Sequence, residues 1–545
     1  MKLFGDYNNV KRKYYEEKDI NYRIEKGQIF TPKYIADFMA EWVLYRSVLD
    51  NRKELANRLD DCNHDEKRRI LDPAVGLGVF FQSLLNHNND NIKIYGIEKD
   101  SQLVKESKKL YKNHGAINIH QGNYLEQWDN KYDGIICNPP YLIYKKYNNE
   151  KYISLINKEL DLKLSGYTNM AMLFLVKSLF ELKEKAKMAY IVPVEFMNAD
   201  YGKEIKKTIV ESRLLRYVII LNYNIFEVKT TSVILLFSND SINESKIKFI
   251  NIDSREQFFQ IFYNNNKIPG FDNTIINNEM DIEKKWSFYY RKNEIPEYKN
   301  MVEFNEYARV YRGIATGAND FFLLDEEKKD KYNINKDFLL PVITKAAYVK
   351  DPIFTIGNYN KLKNEGKKIY LFNGVNNENN KNVKKYIHEG EENRFHKRYL
   401  TRNRKPWYKL ENKPPSSILV KTFFREKIQF IINKASVYNL TAFHNIYTKI
   451  PEYDQILEAY FLTDIAVELI ELNRREYSNG LFKIEPGDIN KSFIPDFKII
   501  KENDREDIIN IYEKYQTERN KKEKLNKSPE DLLDKLNSIF LKYLV

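Results

Sequence analysis

Cysteine is nearly absent from this chain of 545 residues, and this scarcity excludes several classes of protein. Two cysteines, Cys62 and Cys137, cannot build a disulfide framework or a cysteine-rich zinc site. The seven histidines show no ligand spacing such as His-x-x-x-His, so we expect no metal. Low cysteine content is typical of proteins of the reducing cytoplasm, where we expect this chain to act.

Long apolar runs are missing as well. No segment approaches about 18 uninterrupted apolar residues, so we expect no transmembrane helix and no membrane partner. The first residues, Met1–Asp6, lack the apolar stretch of a signal peptide. Hydrophobic residues still make up 42% of the chain, which is enough for the cores of two or three domains.

The net charge of +12 is concentrated in one segment. Residues 391–430 hold eleven Lys and Arg against four Asp and Glu, a net +7, with aromatic residues interleaved. Such a stretch favours contact with nucleic acid over a merely solvated charged surface. Within it we expect the contacts to come from Arg402, Arg404, Lys405, Trp407, Tyr408 and Lys409.

Short apolar runs alternate with amphipathic stretches through the first 240 residues. The runs that we predict as strands lie at 70–71, 92–97, 117–120, 132–137, 188–192 and 217–221. Strands alternating with helices predict an α/β fold with a doubly wound, Rossmann-like parallel sheet. A last run at 232–238 has no helix before it, and we expect an antiparallel hairpin at the edge of the sheet.

A turn of small residues, Asp72-Pro73-Ala74-Val75-Gly76-Leu77-Gly78, follows the first predicted strand. Ala74, Gly76 and Gly78 would let a ligand approach the backbone at a helix N-terminus, where amide donors converge. The spacing differs from the Gly-x-Gly-x-x-Gly pattern of dinucleotide sites. With Asp72 at its head, the turn suits a zwitterionic amino-acid ligand better than a pyrophosphate.

Two further strand ends carry chemically suggestive residues. Glu98 ends the second strand, where folds of this kind bind ribose hydroxyls. Asn138-Pro139-Pro140-Tyr141 follows a later strand; its prolines lack N–H groups, so carbonyls are left to accept hydrogen bonds beside a flat aromatic face. Acceptors next to a stacking surface suit an exocyclic amino group on a planar ring. An ordinary turn uses the same residue types, but the three strand ends together favour a functional site.

In this order, the motifs resemble those of the gamma-class adenine-N6 DNA methyltransferases, in the TaqI-like layout. Gly27–Pro32 resembles the N-terminal cofactor motif of the family, and Gly122–Leu125 resembles the segment that contacts the adenine of the cofactor. The resemblance implies S-adenosylmethionine as the cofactor. The residues that it assigns to the cofactor are Thr31, Pro32, Asp72, Ala74, Gly76, Gly78, Glu98, Asn123, Tyr124, Asn138 and Pro140.

The resemblance also implies the reaction, which is methyl transfer to N6 of an adenine flipped out of double-stranded DNA. Asn138–Tyr141 match the catalytic motif, in which the Asn138 side chain and the Pro139 carbonyl would accept the two N6 hydrogens. Tyr141 would stack on the extruded base. Asn224-Ile225-Phe226 resembles the motif whose aromatic residue covers the other face of that base.

Two positions depart from the family pattern. Asn123 stands where the family usually has Asp, and we expect weaker but retained cofactor binding because an amide oxygen still accepts. Leu77 is bulky for its place in the turn after the first strand.

Segments farther along the chain resemble parts of a target-recognition domain, namely Gly313–Gly317, Lys405–Leu410 and Leu481–Asp488. We expect a monomer that acts on double-stranded DNA; the resemblance to restriction–modification enzymes leaves open whether a separate cognate endonuclease is a second partner. The expected domains are a methyltransferase domain at 1–245, a connecting region at 246–300, a mixed α+β target-recognition domain at 301–500 and a helical segment at 501–545.

Three other interpretations remain at this stage. Glutamine methyltransferases of release factors, and other protein or ribosomal-RNA methyltransferases, can use the same Asn-Pro-Pro-Tyr turn, but they lack a large basic C-terminal domain. A bifunctional restriction enzyme would need a nuclease domain, and about 26 residues before Gly27 leave no room for one. A non-catalytic DNA-binding relative is disfavoured by the intact Asn138–Tyr141 turn.

Overall fold

The computed structural model describes residues 2–45, 67–87, 91–128, 130–142, 149–227, 231–239, 246–263, 272–290, 298–375, 380–411, 413–477, 481–522 and 530–545. The chain divides into two compact units. The first comprises Met1–Ile295 with Glu476–Asn479, and the second comprises Pro296–Arg475 with Gly480–Val545. Within the described ranges, no helix combines the length and the apolar character that crossing a membrane requires.

The first unit alternates helices with strands. Its helices are α1 (Lys2–Glu17), α2 (Ile20–Lys26), α3 (Lys33–Leu44), α4 (Val79–Leu85), α5 (Ser101–Leu110), α6 (Asn149–Leu160), α7 (Met170–Phe180), α8 (Lys203–Ser212), α9 (Arg255–Phe262) and α10 (Ser287–Tyr290). Its strands are β1 (Arg68–Asp72), β2 (Ile92–Glu98), β3 (Ile117–Gln121), β4 (Tyr132–Cys137), β5 (Leu182–Pro193), β6 (Leu215–Leu221), β7 (Ser232–Ser238), β8 (Lys246–Ile252) and β9 (Asp272–Ile276).

The described strands of this unit form one sheet in the order β3-β2-β1-β4-β5-β7-β6-β8-β9. Strands β1 to β5 pair in parallel, and β7 runs antiparallel to both β5 and β6. The strand order reverses between β1 and β4, and ligands bind at such a switch point beyond the carboxyl ends of the strands. The predicted α/β Rossmann-like class is confirmed, and the turns after β1, β2 and β4 meet at one edge of the sheet.

Two parts of the predicted layout are wrong. The hairpin of β6 and β7 lies inside the sheet, because β8 pairs in parallel with β6 and β9 pairs with β8. The stretch that begins at residue 246 is therefore not a connecting region but part of the methyltransferase sheet. The sequence signal was the alternation of polar and apolar residues in Lys246-Ile247-Lys248-Phe249, and the structure buries Ile247, Phe249 and Ile252.

Helix α3 shows how the sequence pattern becomes packing. Its apolar residues recur at helical spacing, and Phe38, Met39 and Val43 are fully buried against the sheet. Trp42 lies on the same face, and its indole N–H donates to the carbonyls of Met188 at 3.2 Å and Phe237 at 3.1 Å. The helix is thereby attached to β5 and β7, and it follows directly after the Gly27–Pro32 motif.

The second unit is a mixed α+β structure. Its helices are α11 (Asn319–Phe322), α12 (Glu326–Lys331), α13 (Ile356–Asn364), α14 (Lys381–Glu392), α15 (Asp454–Tyr460), α16 (Asp464–Glu471), α17 (Pro486–Asn490), α18 (Glu502–Lys522) and α19 (Glu530–Lys542). Its strands are β10 (Met301–Glu303), β11 (Ala308–Arg312), β12 (Leu323–Leu324), β13 (Leu339–Ile343), β14 (Ile353–Phe354), β15 (Tyr370–Phe372), β16 (Ile418–Lys421), β17 (Phe423–Phe424), β18 (Phe430–Asn433), β19 (Tyr438–Asn439), β20 (Phe443–Thr448), β21 (Arg475–Tyr477), β22 (Leu481–Lys483) and β23 (Phe493–Pro495).

The C-terminal helices belong to the core of the second unit. One of its sheets has the order β11-β20-β16-β18-β14, and another has the order β12-β15-β13-β19. Tyr512 of α18 and Leu536 and Phe540 of α19 are fully buried, in a cluster with strand residues such as Ile418 and Ile446. The predicted helices at 501–545 are present, but they complete the core of residues 301–500 and form no separate segment.

Candidate active site

A cavity of about 520 Å³ lies beyond the carboxyl ends of β1, β2 and β4 in the first unit. The turns after all three strands contribute to its wall, as the sheet order requires. Leu77, the bulky residue of the first turn, also borders the cavity, but its side chain is only 1% exposed because it packs in the core. The sequence-predicted residues that line the cavity are Thr31, Ala74, Gly76, Glu98, Asn123, Tyr124, Asn138 and Pro140.

Three residues that we assigned to the cofactor do not line this cavity. Asp72 is fully buried, and its Oδ1 accepts from the backbone N–H of Ala74 at 3.0 Å, so it shapes the turn. Gly78 is the N-cap of α4 with a positive φ of 82°, and a Cβ there would lie 2.6 Å from the ring of Tyr111. Pro32 precedes α3 and borders a different, smaller cavity. These three residues do not line the cavity; they support the residues that do.

Burial changes the acid–base behaviour of Asp72. Its Oδ2 is buried without a hydrogen-bond partner in the described part of the chain. Desolvation raises its pKa from 3.8 to about 8, and the charge of Glu98 adds to the rise, while the hydrogen bond from Ala74 opposes it. Asp72 is therefore mostly a neutral acid near pH 7.

Glu98 connects the turn after β1 to the end of β2. Its Oε2 accepts from the N–H of Gly76 at 2.9 Å, and its Oε1 accepts from the N–H of Asp100 at 2.8 Å. Desolvation raises the pKa of this carboxyl, and the two backbone hydrogen bonds oppose that rise. Each carboxylate oxygen has a second lone pair, so the group can still accept from hydroxyls in the cavity.

The sequence patterns did not single out two residues of the cavity wall, Gln28 and Phe30. The Gln28 amide donates to Asp100 at 3.0 Å and accepts from the hydroxyl of Tyr14 at 2.6 Å, which ties α1 to the end of β2. A Cβ on Gly76 would lie 3.0 Å from the Phe30 ring. Both residues belong to the Gly27–Pro32 motif, and membership of that motif was the signal that could have found them.

The segment Gly122–Leu125, which we predicted to contact the adenine of the cofactor, rests on a buried polar network. Asn123 borders the cavity, and its Oδ1 accepts from the N–H of Leu125 at 3.2 Å. The Tyr124 hydroxyl donates to Glu181 at 2.6 Å, and the ammonium of Lys177 lies 3.9 Å from the centre of the Tyr124 ring. Lys177 and Glu181 form an ion pair, and burial lowers the pKa of the lysine and raises that of the acid. The network lies behind Tyr124 and fixes it in the cavity wall.

The amide of Asn138 has a determined orientation. Its Nδ2 donates to the carbonyl of Ile29 at 2.8 Å and to Oγ1 of Thr31 at 3.0 Å. Because a carbonyl only accepts, the amino side of the amide must face Ile29. The Oδ1 atom is then directed the other way, and it is buried with no partner among the described residues. The site therefore holds a fixed hydrogen-bond acceptor that the protein leaves unused.

The segment that holds Asn138 is in close contact with the Asn-Pro-Pro-Tyr turn. Gly27 has a φ of 69°, and a Cβ at this position would lie 2.9 Å from Leu142 and 3.0 Å from Pro140. A residue without a side chain is required on both grounds. The Gly27–Pro32 motif and the turn after β4 thus form one packed unit.

The predicted aromatic pair of Tyr141 and Phe226 is brought together. Their ring centroids are 5.9 Å apart, and the ring planes meet at 84°. The Tyr141 hydroxyl donates to the carbonyl of Ile191 at 3.3 Å, and burial raises its pKa. Neither ring lines the large cavity. Phe226 borders the adjacent cavity of about 110 Å³ with Pro32, and Ile29 borders both cavities.

The basic stretch of the second unit divides into buried and exposed residues. Arg402, Lys405 and Lys409 are exposed, as a surface contact requires. Tyr408 is only 8% exposed and packs in the core, so the expectation that its ring contacts DNA is wrong. The guanidinium of Arg404 donates to the backbone carbonyls of Ala315 and Thr316 at 2.5 and 2.8 Å.

Trp407 is also largely structural. Its indole N–H donates to Glu391 at 3.0 Å, and its ring lies 4.7 Å from that of Phe321. Trp407 and Arg404 therefore hold the stretch in place and are poorly available to a ligand.

Comparison with known families covers both units. Residues 4–311 match the family described as N-6 DNA Methylase. Residues 289–533 match the C-terminal domain of the type II methyltransferase M.Eco57I.

Two curated relatives are similar to different extents. The chain is 37% identical over 543 residues to the type II methyltransferase M.AccI of Acinetobacter calcoaceticus, and the match covers 97% of each chain. It is 24% identical over 240 residues to the type II methyltransferase M.HincII of Haemophilus influenzae, covering 44% of this chain and 42% of that one.

A solved structure shares the fold. It is a nuclease-deletion mutant of the type ISP restriction–modification enzyme LlaGI in complex with a DNA substrate mimic, with a TM-score of 0.51 and 11% identity over 89% of this chain and 54% of that one. The match to N-6 DNA Methylase spans more than half of the chain, and the similarity to M.AccI spans nearly all of it. The chain therefore belongs to the N-6 DNA methylase family, and it is an S-adenosylmethionine-dependent DNA methyltransferase of the restriction–modification type.

Proposed function

We propose that the base methylated by this chain is adenine, at N6, in double-stranded DNA. The observation that carries the proposal is the Asn138 amide, whose nitrogen has two acceptors while its buried oxygen has no donor among the described residues. Leaving a buried acceptor unpaired costs about 1–3 kcal/mol. The exocyclic amino group of adenine brings N–H donors, and it would recover that cost.

The proposed chemistry is electrostatic. S-adenosylmethionine supplies an activated methyl group on its sulfonium. The N6 lone pair of adenine is delocalised into the ring, so N6 is a weak nucleophile. Asn138 Oδ1 and the carbonyl of Pro139 accept the N6 hydrogens, and they stabilise the positive charge that builds on N6 as the new C–N bond forms and the methyl C–S bond breaks. The sulfonium would leave as a neutral thioether, and N6 would then lose one proton to solvent. Holding N6 in line with the methyl group contributes further by proximity.

The target base must leave the duplex to reach Asn138, because N6 is paired inside the helix. Tyr141 stacks on the extruded adenine, and Phe226 covers the opposite face. The present edge-to-face contact of the two rings, with centroids 5.9 Å apart, supports this role because the rings already adjoin the turn that carries Asn138. An entering base would separate them and replace one ring contact with two.

The cofactor would occupy the cavity of about 520 Å³. Glu98 accepts from the ribose hydroxyls, since its carboxylate keeps free lone pairs beside the cavity. Ala74 and Gly76 let the cofactor approach the backbone. Asn123 and Tyr124 border the adenine of the cofactor, and the buried network behind Tyr124 keeps that wall rigid.

The test is single-turnover methylation of DNA by Asn138→Ala, with the product identified by mass spectrometry of digested DNA. Wild type should yield N6-methyladenine, and Asn138→Ala should lose at least about 100-fold in rate, the cost typical of removing one transition-state hydrogen-bonding group. Binding of cofactor and of DNA should persist, because the amide acts on the chemical step.

Thr31→Val serves as the matched variant. It removes one of the two acceptors that orient the Asn138 amide and keeps the shape of the side chain. A smaller loss than that of Asn138→Ala is expected, since Ile29 still holds the amide. Methylcytosine as the product, or an Asn138→Ala variant of wild-type rate, would refute the proposal.

A further inference from the structure

An exposed aromatic residue projects from the basic stretch at a position that the sequence patterns did not select. Tyr399 is 72% exposed, and Leu400 beside it is 39% exposed. An exposed ring among cations offers a stacking surface to a nucleic-acid base. We call residues 394–405 the basic loop; Tyr399 lies near its middle.

Every charged residue of the basic loop is a Lys or an Arg. From 394 to 410 the sequence contains seven Lys and Arg and no Asp or Glu. Arg394, Lys397, Arg398 and Arg402 are exposed. The Arg402 guanidinium lies 5.3 Å from the centre of the Tyr399 ring, so a cation flanks the ring directly.

Asp320, an acid outside the basic loop, faces it. Arg398 lies 3.6 Å from Asp320, and both side chains are largely exposed. Exposed ion pairs of this kind contribute little to stability, so Arg398 can exchange Asp320 for a stronger anion such as a phosphate.

Hydrogen bonds from side chains of the loop to its own backbone hold the basic loop in one conformation. The hydroxyl of Thr401, which is fully buried, donates to the carbonyls of Phe395 at 2.5 Å and Arg398 at 3.2 Å. Asn403 donates to the carbonyl of Tyr399 at 2.9 Å. Together with the Arg404 hydrogen bonds described above, these interactions present Tyr399 without the ordering cost that a flexible loop would incur on binding.

We propose that the basic loop is a DNA-contacting element in which Tyr399 stacks against bases of the duplex while Arg394, Lys397, Arg398 and Arg402 contact phosphates. The inference rests on the proposed action on double-stranded DNA and adds to it the residues that make the contact. An aromatic wedge among cations combines base stacking, which tolerates any sequence, with attraction to the phosphate backbone. In this role Tyr399 replaces the Tyr408 ring that the sequence suggested.

A second exposed aromatic residue of the same unit offers a contrast. Phe493 is 54% exposed, but the cavity that it borders is lined by Glu303, Glu306 and Asp496 as well as one lysine. Negative surroundings repel a phosphate backbone. Phe493→Ala is therefore the matched control for Tyr399→Ala.

The first experiment measures binding of the full-length protein to a labelled duplex at several salt concentrations. In a plot of log affinity against log salt concentration, replacing both Arg398 and Arg402 by Gln should reduce the magnitude of the slope by roughly 2. Each phosphate that is no longer neutralised removes about 0.9 from the slope. The control pair Lys361→Gln and Lys514→Gln, on α13 and α18, should leave the slope unchanged. An unchanged slope for the Arg398 and Arg402 double variant would overturn the phosphate contacts.

The second experiment compares Tyr399→Ala, Tyr399→Phe and Phe493→Ala in the same assay. Tyr399→Ala should lower DNA affinity roughly 10- to 100-fold, the range for removing the stacking of one base, with the salt slope unchanged. Tyr399→Phe keeps the ring and should bind within about threefold of wild type. Cofactor affinity and melting temperature should not change in any of the three.

The outcomes separate this inference from the proposed function. If the wild type methylates adenine and Tyr399→Ala binds DNA within twofold of wild type, the proposed stacking of Tyr399 on bases is wrong and the proposed function stands. The stacking of Tyr399 is also wrong if Phe493→Ala loses as much DNA affinity as Tyr399→Ala. If the wild type binds no duplex at all, the proposed function and the inference fail together.

Discussion

At the scale of single residues, the active site depends on side chains whose orientation is set by neighbours far away in sequence. Asn138 is held by Ile29 and Thr31, more than a hundred residues earlier. Glu98 is fixed by the N–H groups of Gly76 and Asp100. These acceptors are therefore already in position, and the proposed reaction would require no reorganisation of them.

A buried carboxyl predicts how stability depends on pH. The pKa of Asp72 is about 8 in the folded chain and 3.8 in the unfolded chain, so the neutral carboxyl favours the folded state. Its contribution to the free energy of unfolding is complete below about pH 4. That contribution should be lost progressively as the pH rises towards 8. Asp72→Asn keeps the acceptor for the Ala74 N–H and cannot ionise.

Urea unfolding of wild type and Asp72→Asn at pH 5, 6.5 and 8 provides the measurement. The variant should gain stability relative to wild type with each step upward in pH. Titrating groups that do not interact with Asp72 behave alike in both proteins, so their effects cancel, and the difference reports Asp72 together with the Glu98 carboxyl coupled to it. Two curves that stay parallel across this range would contradict a neutral buried Asp72.

At the scale of elements, the site forms where strand ends meet the segment before α3. The turns after β1, β2 and β4 converge because those strands are neighbours in a parallel sheet. The segment Gly27–Pro32 closes the site from the other side, where Gly27 packs against Pro140 and Leu142. We therefore expect activity to depend on the packing of this short N-terminal segment as well as on the sheet.

The close packing of Gly27 predicts a strong effect of adding a single methyl group. Gly27→Ala should displace the Gly27–Pro32 segment from the Asn-Pro-Pro-Tyr turn, because a Cβ would lie 2.9 Å from Leu142 and φ is 69°. Loss of the Ile29 and Thr31 hydrogen bonds should lower the methylation rate by roughly tenfold or more, about 1.4 kcal/mol in the barrier. Calorimetry should also show weaker cofactor binding.

Gly366→Ala is the control for this prediction. Its φ is 67°, but a Cβ there meets no atom within 4 Å. It carries the backbone strain, about 1–2 kcal/mol, without the steric clash. Equal losses of activity in both variants would mean that packing against the Asn-Pro-Pro-Tyr turn has no role.

At the scale of the whole molecule, the chain consists of two units with separate cores. The sheet of the first unit extends through β8 and β9, and Ile247, Phe249 and Ile252 of β8 are buried. In the second unit, α18 and α19 complete the core. The natural boundary therefore lies near residue 295 and not near 245.

This boundary predicts the behaviour of two fragments. Residues 1–295 should fold and bind S-adenosylmethionine, because they contain the cavity lining and every strand of the sheet that the structure describes. Residues 1–245 would leave one edge of the apolar strand β6 unpaired, which favours aggregation. Solubility, circular dichroism and calorimetric titration with the cofactor check both expectations. A soluble, cofactor-binding 1–245 fragment would show that β8 is dispensable.

The sequence by itself determined the fold class, the order of the motifs and the family. Alternating apolar runs specify strands and helices locally, and the turns at Asp72–Gly78 and Asn138–Tyr141 carry their chemistry in contiguous residues. The comparisons confirm the family and the cofactor that those motifs indicated. Local patterns of this kind need no knowledge of long-range pairing.

Only the tertiary structure decided which residues face the cavity and which support it. Asp72, Gly78 and Pro32 belong to the right motifs but do not line the cavity, because side-chain direction depends on how each turn packs. The hairpin of β6 and β7 became internal because β8 pairs with β6, an interaction that no local pattern encodes. Burial of Tyr408 and exposure of Tyr399 were equally undetermined, since both are aromatic residues in one basic stretch and only the core beneath them distinguishes the two.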